Sequence, residues 1–415
     1  MRKLQKFFFK LLRWSERYTK TDMVYLFKGG SWLILAEIVS GFVSVVILAA
    51  FANWASKETF GAYQFVFSVV TVLSVVSLPG IDQALTRSVA RGNDRSLQIA
   101  FRTKLVWSTL GVLALLAISS WYFINNNLTL TLAFLVVVPF FHLRFSTTVF
   151  QSFWEGRKHF DISLIYRAIT GVGLAIVMVV AILLTDKLWV LLLAFSATSA
   201  FFNTLFYLFS LKQIKNNKVD EKMVGFGKHL TAMNLLEKIS YDIDNVVLWS
   251  LFGPIQVVVY TLAVKPIEKS KAFIPIERLA LPILSQKGVD TDHKKRDIFK
   301  KFLMLFALTV PAAIFLIILA PFLYSIIFPK YLESVIYFRV LCILIATLPF
   351  SVLISALVAE MKTKHLYIAR LSEPVVKITL LLALTPVFGI WGVVLAILIS
   401  ELVRDAIGAY LFWKM

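Results

Sequence analysis

Twelve apolar stretches run from Ser31 to Phe412, and the segments joining them alternate between rich in Lys and Arg and almost uncharged. Spans of 31–53, 60–86, 105–124, 128–153, 161–184, 187–211, 230–252, 254–276, 301–328, 331–359, 366–387 and 388–412 are each long enough to cross roughly 30 Å of hydrocarbon at about 1.5 Å per helical residue. Cytoplasmic loops of membrane proteins retain basic residues that exported loops lack. Of the 43 Lys and Arg, all but five fall at the termini or in and beside every second joining segment. Lys57, Lys187 and Lys330 lie on the other side, and Lys238 and Arg339 lie within spans. The pattern predicts an all-α polytopic membrane protein with both termini cytoplasmic, and twelve spans close the parity.

A mean hydropathy of +0.80 and 59% hydrophobic residues exclude an ordinary soluble domain. A formal charge of +19 would suggest nucleic acid in a soluble chain. Here the cations collect on one predicted face, so topology and attraction to anionic membrane lipids account for them, and no nucleic-acid partner is expected. Residues 1–30 read as a basic amphipathic leader, with Phe7, Phe8, Leu11, Leu12 and Trp14 among Lys3, Lys6, Lys10, Arg13 and Arg17. The apolar run after it is a full span rather than the core of a cleavable signal peptide. Cys342 stands alone and cannot form an intrachain disulfide. No hydrophilic segment is long enough for an extramembrane catalytic domain, so an enzyme is not expected. The five histidines show no metal-ligand spacing, and no cofactor is implied.

Six spans precede the basic segment 213–229 and six follow it. Both halves therefore enter from the same side, as in a parallel repeat. The expected organisation is a leader (1–30), an N-terminal six-helix lobe (31–212), a cytoplasmic connector (213–229) and a C-terminal six-helix lobe (230–415). Phe27 to Tyr63 and Phe226 to Tyr260 resemble one another weakly in support.

The first of these regions carries Gly61-Ala62-Tyr63 after a short loop, then Gly80, then Arg87 and Arg91. The second, YDIDNVVLWSLFGPIQVVVYTLAVKPIE, carries Asp244, Gly253-Pro254 and Tyr260. Together they resemble the Wzx-like polysaccharide flippases of the MOP superfamily, distantly similar to the MATE exporters. The chain departs from that pattern at Val257-Val258, where the family often has Gly. The resemblance implies two six-helix bundles around a central cavity, working by alternating access. It implies a polyprenyl-diphosphate-linked oligosaccharide as substrate, moved from the cytoplasmic to the outer leaflet for O-antigen or other cell-surface polysaccharide. The setting would be the bacterial cytoplasmic (inner) membrane, with H+ or Na+ as coupling ion and glycan polymerase machinery as a partner. A small-solute exporter, MATE-like or major-facilitator-like, is the alternative, because fold alone does not select a substrate. No G-x-x-x-x-G-K-[ST] segment occurs, so ATP hydrolysis is not expected.

Charges within spans lead the site prediction, because each is costly in hydrocarbon. Span 7 has Glu237, Lys238, Asp242 and Asp244 at depths of roughly 10, 12, 18 and 21 Å from its cytoplasmic end. Lys238 and Asp242 are spaced to pair at i,i+4, and Asp244 has no partner within its own helix. The acidic surplus reads either as an ion-coupling site or as a staple between helices. Asp242-Ile243-Asp244 also has the D-x-D spacing of glycosyltransferases, but within an apolar helix that motif lacks its context. Lys377 in span 11, Arg339 in span 10, and Arg144 and Arg167 in spans 4 and 5 are the substrate-site candidates. A diphosphate needs cations to replace its lost hydration. For Arg144 and Arg167, snorkelling to the interface is the competing explanation. Arg370, Glu373 and Lys377 can pair along span 11, and Glu401, Arg404 and Asp405 can satisfy one another in span 12. Glu37 is a weaker candidate. Pro311, Pro321, Pro349, Pro374 and Pro386 are expected to bend helices of the second half.

Overall fold

The computed structural model describes residues 23–272, 291–359 and 363–414, with side chains chiefly in 38–271, 298–354 and 371–414. The predicted leader helix and most of the basic segment between spans 8 and 9 lie outside the described residues. Among those described, the regular structure is entirely helical.

Span 1 is α1 (Met23–Trp54) and span 2 begins as α2 (Lys57–Leu73), whose start is capped by Ser56 accepting from the Thr59 amide at 3.2 Å. Pro79 disfavours helical backbone at the residue before it. Leu78 leaves the right-handed helix at φ +59°, and the span resumes as α3 (Gly80–Ala90). Span 3 is α4 (Ser96–Ile124). Span 4 divides into α5 (Leu128–Ser146) and α6 (Val149–Gly156), and spans 5 and 6 are α7 (Phe160–Leu184) and α8 (Leu188–Leu211). Span 7 divides at Asn234 into α9 (Met223–Met233) and α10 (Leu235–Phe252). Gly253, at φ +77°, supplies the turn into α11 (Pro254–Ala272). Span 9 is α12 (Thr291–Ile327), and span 10 breaks into α13 (Ser334–Leu341), α14 (Ile343–Ala346) and α15 (Phe350–Ala359). Spans 11 and 12 are α16 (Thr363–Phe388) and α17 (Ile390–Trp413), joined at Gly389, φ +58°. Among the described residues the twelve predicted spans thus become seventeen helices, because four spans are interrupted.

Seven helical stretches among the described residues are long and apolar enough to cross a membrane by length and composition. The others are short, broken or more heavily charged. Leu184, Met304, Ile318 and Val387 are among many large apolar side chains left exposed, as a lipid-facing belt requires. The chain is a multi-pass membrane protein.

In the first half α5 packs on α4 and α8, and α7 packs on α1 and α8. In the second half α17 packs on α16 and α15, and α12 on α13 and α14. The halves meet where α2 lies against α10 and α11, and where α3 lies against α9. Both crossings are glycine contacts. A Cβ on Gly61 would sit 2.2 Å from the Pro254 carbonyl oxygen, and one on Gly80 would sit 2.4 Å from that of Gly227. At the end away from the basic segments the halves are tied again. Asn53 donates to the Ile327 carbonyl at 2.9 Å, Lys330 donates to the Asn53 carbonyl at 2.6 Å, and Lys57 lies 3.4 Å from Glu333. At the basic end Arg157 bridges Asp94 and the Gln213 carbonyl, which pins the segment after α8.

Two of the prolines in the second half have a consequence for side-chain placement. A helical proline leaves the carbonyl four residues earlier without its N–H partner. For Pro266 that carbonyl belongs to Leu262, and the Tyr324 hydroxyl donates to it at 2.8 Å. For Pro321 it belongs to Ile317, and Arg339 Nε donates to it at 3.0 Å.

Candidate functional site

Between the halves lies a cavity of about 640 Å³. One wall comes from α1, α2, α5, α7 and α8, the other from α10, α11, α12 and α13. The two walls differ in charge.

The first wall is cationic and aromatic. Arg144, in the last turn of α5, places its guanidinium carbon 4.6 Å from the Phe195 ring centre, 4.9 Å from Phe145 and 5.4 Å from Phe67. No carboxylate among the described residues pairs with it. The three ring faces hold the planar cation in place by their quadrupoles while leaving its N–H groups available. Arg167, on α7, opens onto the same cavity.

The second wall is mixed. Asp242 on α10 faces Lys265 on α11 at 3.8 Å, and Lys265 bonds Glu268 at 3.0 Å. The Tyr241 hydroxyl donates to the same Glu268 oxygen at 2.9 Å, and Lys269 also lines the space.

Behind that wall lies a second, fully buried cluster. Asp244 Oδ2 accepts from the Tyr260 hydroxyl at 2.6 Å and from Lys377 Nζ at 2.9 Å. Lys377 donates further to the Ser240 carbonyl at 2.5 Å. Asn245 links α2 and α11, donating to Ser68 Oγ at 2.9 Å and accepting from Thr261 at 3.3 Å. The helix register explains the division of α10. Its first turn, with Glu237 and Lys238, is exposed, whereas Ser240, Asp242, Asp244 and Asn245 are buried.

Several expectations drawn from single helices change here. The pairing of Lys238 with Asp242 does not form. Lys238 is exposed in the first turn of α10, while Asp242 points across to α11 and Lys265. The acidic surplus of span 7 is offset by cations of the neighbouring helices, Lys265 and Lys377. Lys377 and Asp244, predicted for substrate and ion respectively, are partners of one another. Glu373 takes Arg404 at 2.7 Å rather than Lys377. Arg339, expected as a deep cavity cation, is exposed and lies outside the cavity lining, because it serves the carbonyl that Pro321 orphans. Arg404 pairs with both Glu401 and Asp405, with Lys271 joining Glu401 at 2.5 Å, and Asp405 Oδ2 is left buried without a hydrogen-bond partner. The side chains of Glu37 and Arg370 lie outside the described residues.

Lys265 and Glu268 on the cavity wall, and Tyr260 beside Asp244, are positions that sequence reasoning did not single out for the site. Lys265 was tallied with the basic segment after span 8, although its i,i+3 spacing to Glu268 beside Pro266, within the apolar run 254–276, marked both.

The fold recurs in solved structures at low identity. A lipid II flippase MurJ, in an inward closed conformation, superposes with a TM-score of 0.70 at 15% identity, covering 91% of this chain and 86% of that one. An outward-facing multidrug resistance MATE family transporter of the MOP superfamily gives 0.66 at 13%, covering 93% and 95%. A MOP superfamily transporter from Pyrococcus furiosus, described as having a binding pocket of reverse polarity, gives 0.65 at 12%, covering 93% and 95%. These likenesses establish the twelve-helix MOP fold, two six-helix bundles around a central cavity. Comparison with curated protein sequences finds no match. The family profile described as "Polysaccharide biosynthesis protein" matches residues 52–336, which take in the glycine crossings, the cavity walls apart from α1 and Phe338, and the Asp244 cluster but not Lys377. A multi-pass membrane protein, this chain belongs to the polysaccharide biosynthesis protein family.

Proposed function

We propose that the protein is a flippase for a polyprenyl-diphosphate-linked oligosaccharide, carrying it from the cytoplasmic to the outer leaflet by alternating access. The observation that carries this reading is Arg144: a guanidinium with no carboxylate partner among the described residues, held by three aromatic rings on the wall of a cavity between two bundles. A diphosphate supplies the counter-charge for Arg144. Arg167 adds to the same positive wall. The volume fits a head group of drug-like size, so a longer glycan requires the bundles to part.

In this reading the basic face is cytoplasmic, both termini lie there, and the membrane is the bacterial inner membrane. Residues 31–212 and 230–415 are the moving lobes, with 213–229 as connector. Coupling to an ion is assigned to the cavity-facing set of Asp242, Lys265 and Glu268, whose charges a change of access would expose differently. Arg339 is given a structural role, and Glu237 and Lys238 none in the site.

The test is leaflet analysis of the lipid-linked intermediate in cells carrying Arg144 variants. Arg144→Ala is expected to trap it on the cytoplasmic leaflet with the protein inserted at normal levels, and Arg144→Lys to recover part of the transfer. Full transfer by Arg144→Ala would refute the assignment. The carboxylates of the opposite wall favour a second reading, an exporter of cationic small solutes. That reading predicts normal leaflet distribution in a deletion strain and increased sensitivity to such solutes.

A further inference from the structure

The cavity-lining Asp242 and the buried Asp244 stand two residues apart on α10 and meet different fates. Asp242 opens onto the cavity and faces its nearest cation at 3.8 Å. Asp244 is 3% exposed and is held by groups from two other helices, Tyr260 of α11 and Lys377 of α16. The oxygens gathered there are a carboxylate, a backbone carbonyl and a phenol. Such hard oxygen donors, backbone carbonyls included, are the set that coordinates sodium in transporters. The Lys377 ammonium sits among them, 2.9 Å from Asp244 Oδ2 and 2.5 Å from the Ser240 carbonyl oxygen. The second carboxylate oxygen, Asp244 Oδ1, is buried without a hydrogen-bond partner.

We propose that Lys377 is a tethered cation: its ammonium fills, as part of the chain, the place at Asp244 where a transporter would otherwise take up a sodium ion. The inference rests on the flippase reading only for its meaning in transport; the occupancy itself is a property of the protein alone.

Electrostatics decides the occupancy. Asp244 carries one charge and Lys377 already neutralises it at contact distance. A sodium ion added there would place two cations against one carboxylate in a medium of low dielectric, where like charges repel strongly. The lysine cannot diffuse away, so its high effective concentration at Asp244 favours it over free sodium. Removing the lysine reverses both conditions. Asp244 is then an uncompensated buried charge, which is strongly unfavourable, and the slot vacated by the side chain beyond Cβ admits a small cation next to the unpartnered Oδ1. The chain as it stands is therefore indifferent to sodium at this cluster, and any coupling runs through the cavity-facing set instead.

The experiment follows thermal unfolding of the purified full-length protein in detergent, in sodium chloride against choline chloride at equal ionic strength. The wild type is expected to unfold at the same temperature in both salts. Lys377→Ala is expected to unfold several degrees lower in choline and to regain a few degrees in sodium, with a saturable dependence on sodium concentration. Adding Asp244→Asn to Lys377→Ala should abolish that rise. Should Lys377→Ala fail to accumulate folded, Lys377→Gln and Lys377→Thr keep a polar group in the slot and carry the same comparison. A saturable, sodium-specific stabilisation of the wild type, lost in Asp244→Asn, would overturn the proposal. So would the absence of sodium rescue in every folded Lys377 variant, which would leave the pair as a staple between α10 and α16. No lipid-linked substrate enters the measurement, so either outcome leaves the flippase reading to its own test.

Discussion

Arg339 offers the sharpest test of how this structure assigns roles to intramembrane charges. If it exists to satisfy the Ile317 carbonyl that Pro321 orphans, its value depends on that proline being present. A hydrogen bond to a charged group contributes about 1.5–3 kcal/mol, and a buried carbonyl left unsatisfied costs a similar amount. Arg339→Met should therefore destabilise the protein by about 1–3 kcal/mol, the lower end reflecting the exposure of the side chain. Pro321→Ala restores an N–H at position 321 that can close the α12 hydrogen bond to Ile317 itself. In that background Arg339→Met should cost about nothing. The difference between the two backgrounds, about 1–3 kcal/mol, is the coupling energy of a double-mutant cycle. It is read from reversible unfolding of the four proteins in mixed micelles. An equal cost of Arg339→Met in both backgrounds would refute the reasoning. Loss of glycan export by Arg339→Met with unchanged stability would return the residue to the substrate site.

Three further outcomes follow from named contacts. Gly61→Ala brings a Cβ to 2.2 Å from a backbone oxygen that cannot swing aside, so α2 and α11 must separate by about 1 Å at a cost of about 1–3 kcal/mol. A cysteine at Leu332 should then label faster from the non-basic face, whereas Gly225→Ala, with no atom near its Cβ, should change nothing. Lys104 is 2% exposed and bonds both Asp82 oxygens at 2.8 Å, so Lys104→Met should cost about 3–5 kcal/mol in unfolding free energy. Adding Asp82→Leu should recover part of that cost, and no recovery would show that packing rather than charge was lost. Lys265→Met should impair insertion or transport through the stranded Asp242 and Glu268, while Lys238→Met should be silent; the reverse order would restore the i,i+4 pairing that the geometry denies.

Span number and the breaks at Gly253 and Gly389 were legible because hydropathy and turn chemistry act locally. The apolar runs are set by the solvent, and glycines at φ +77° and +58° mark turns that other residues strain to make. The interruptions of spans 2 and 10 were half-legible. Pro79 and Pro349 stand at them, yet Pro311, Pro321, Pro374 and Pro386 lie within continuous helices. At Pro321 a distant donor takes up the orphaned carbonyl, Arg339 serving Ile317. That donor lies far away along the chain, so no local rule finds it.

The site was legible in its residue types and not in its pairings. Asp242, Asp244, Lys377 and Arg144 were each singled out because a charge in hydrocarbon demands compensation, and each is compensated. The compensation comes from other helices: Lys265 for Asp242, Lys377 for Asp244, aromatic faces for Arg144. Pairing within one helix is weak, a few tenths of a kcal/mol, and tertiary packing overrides it wherever burial raises the stakes. Counting charge helix by helix therefore produced an acidic span 7 that the folded bundle does not contain. The same logic separates Arg144 from the rest. Its partners are neutral rings, so an anionic ligand would bring Arg144 a counter-charge that none of the described residues places beside it.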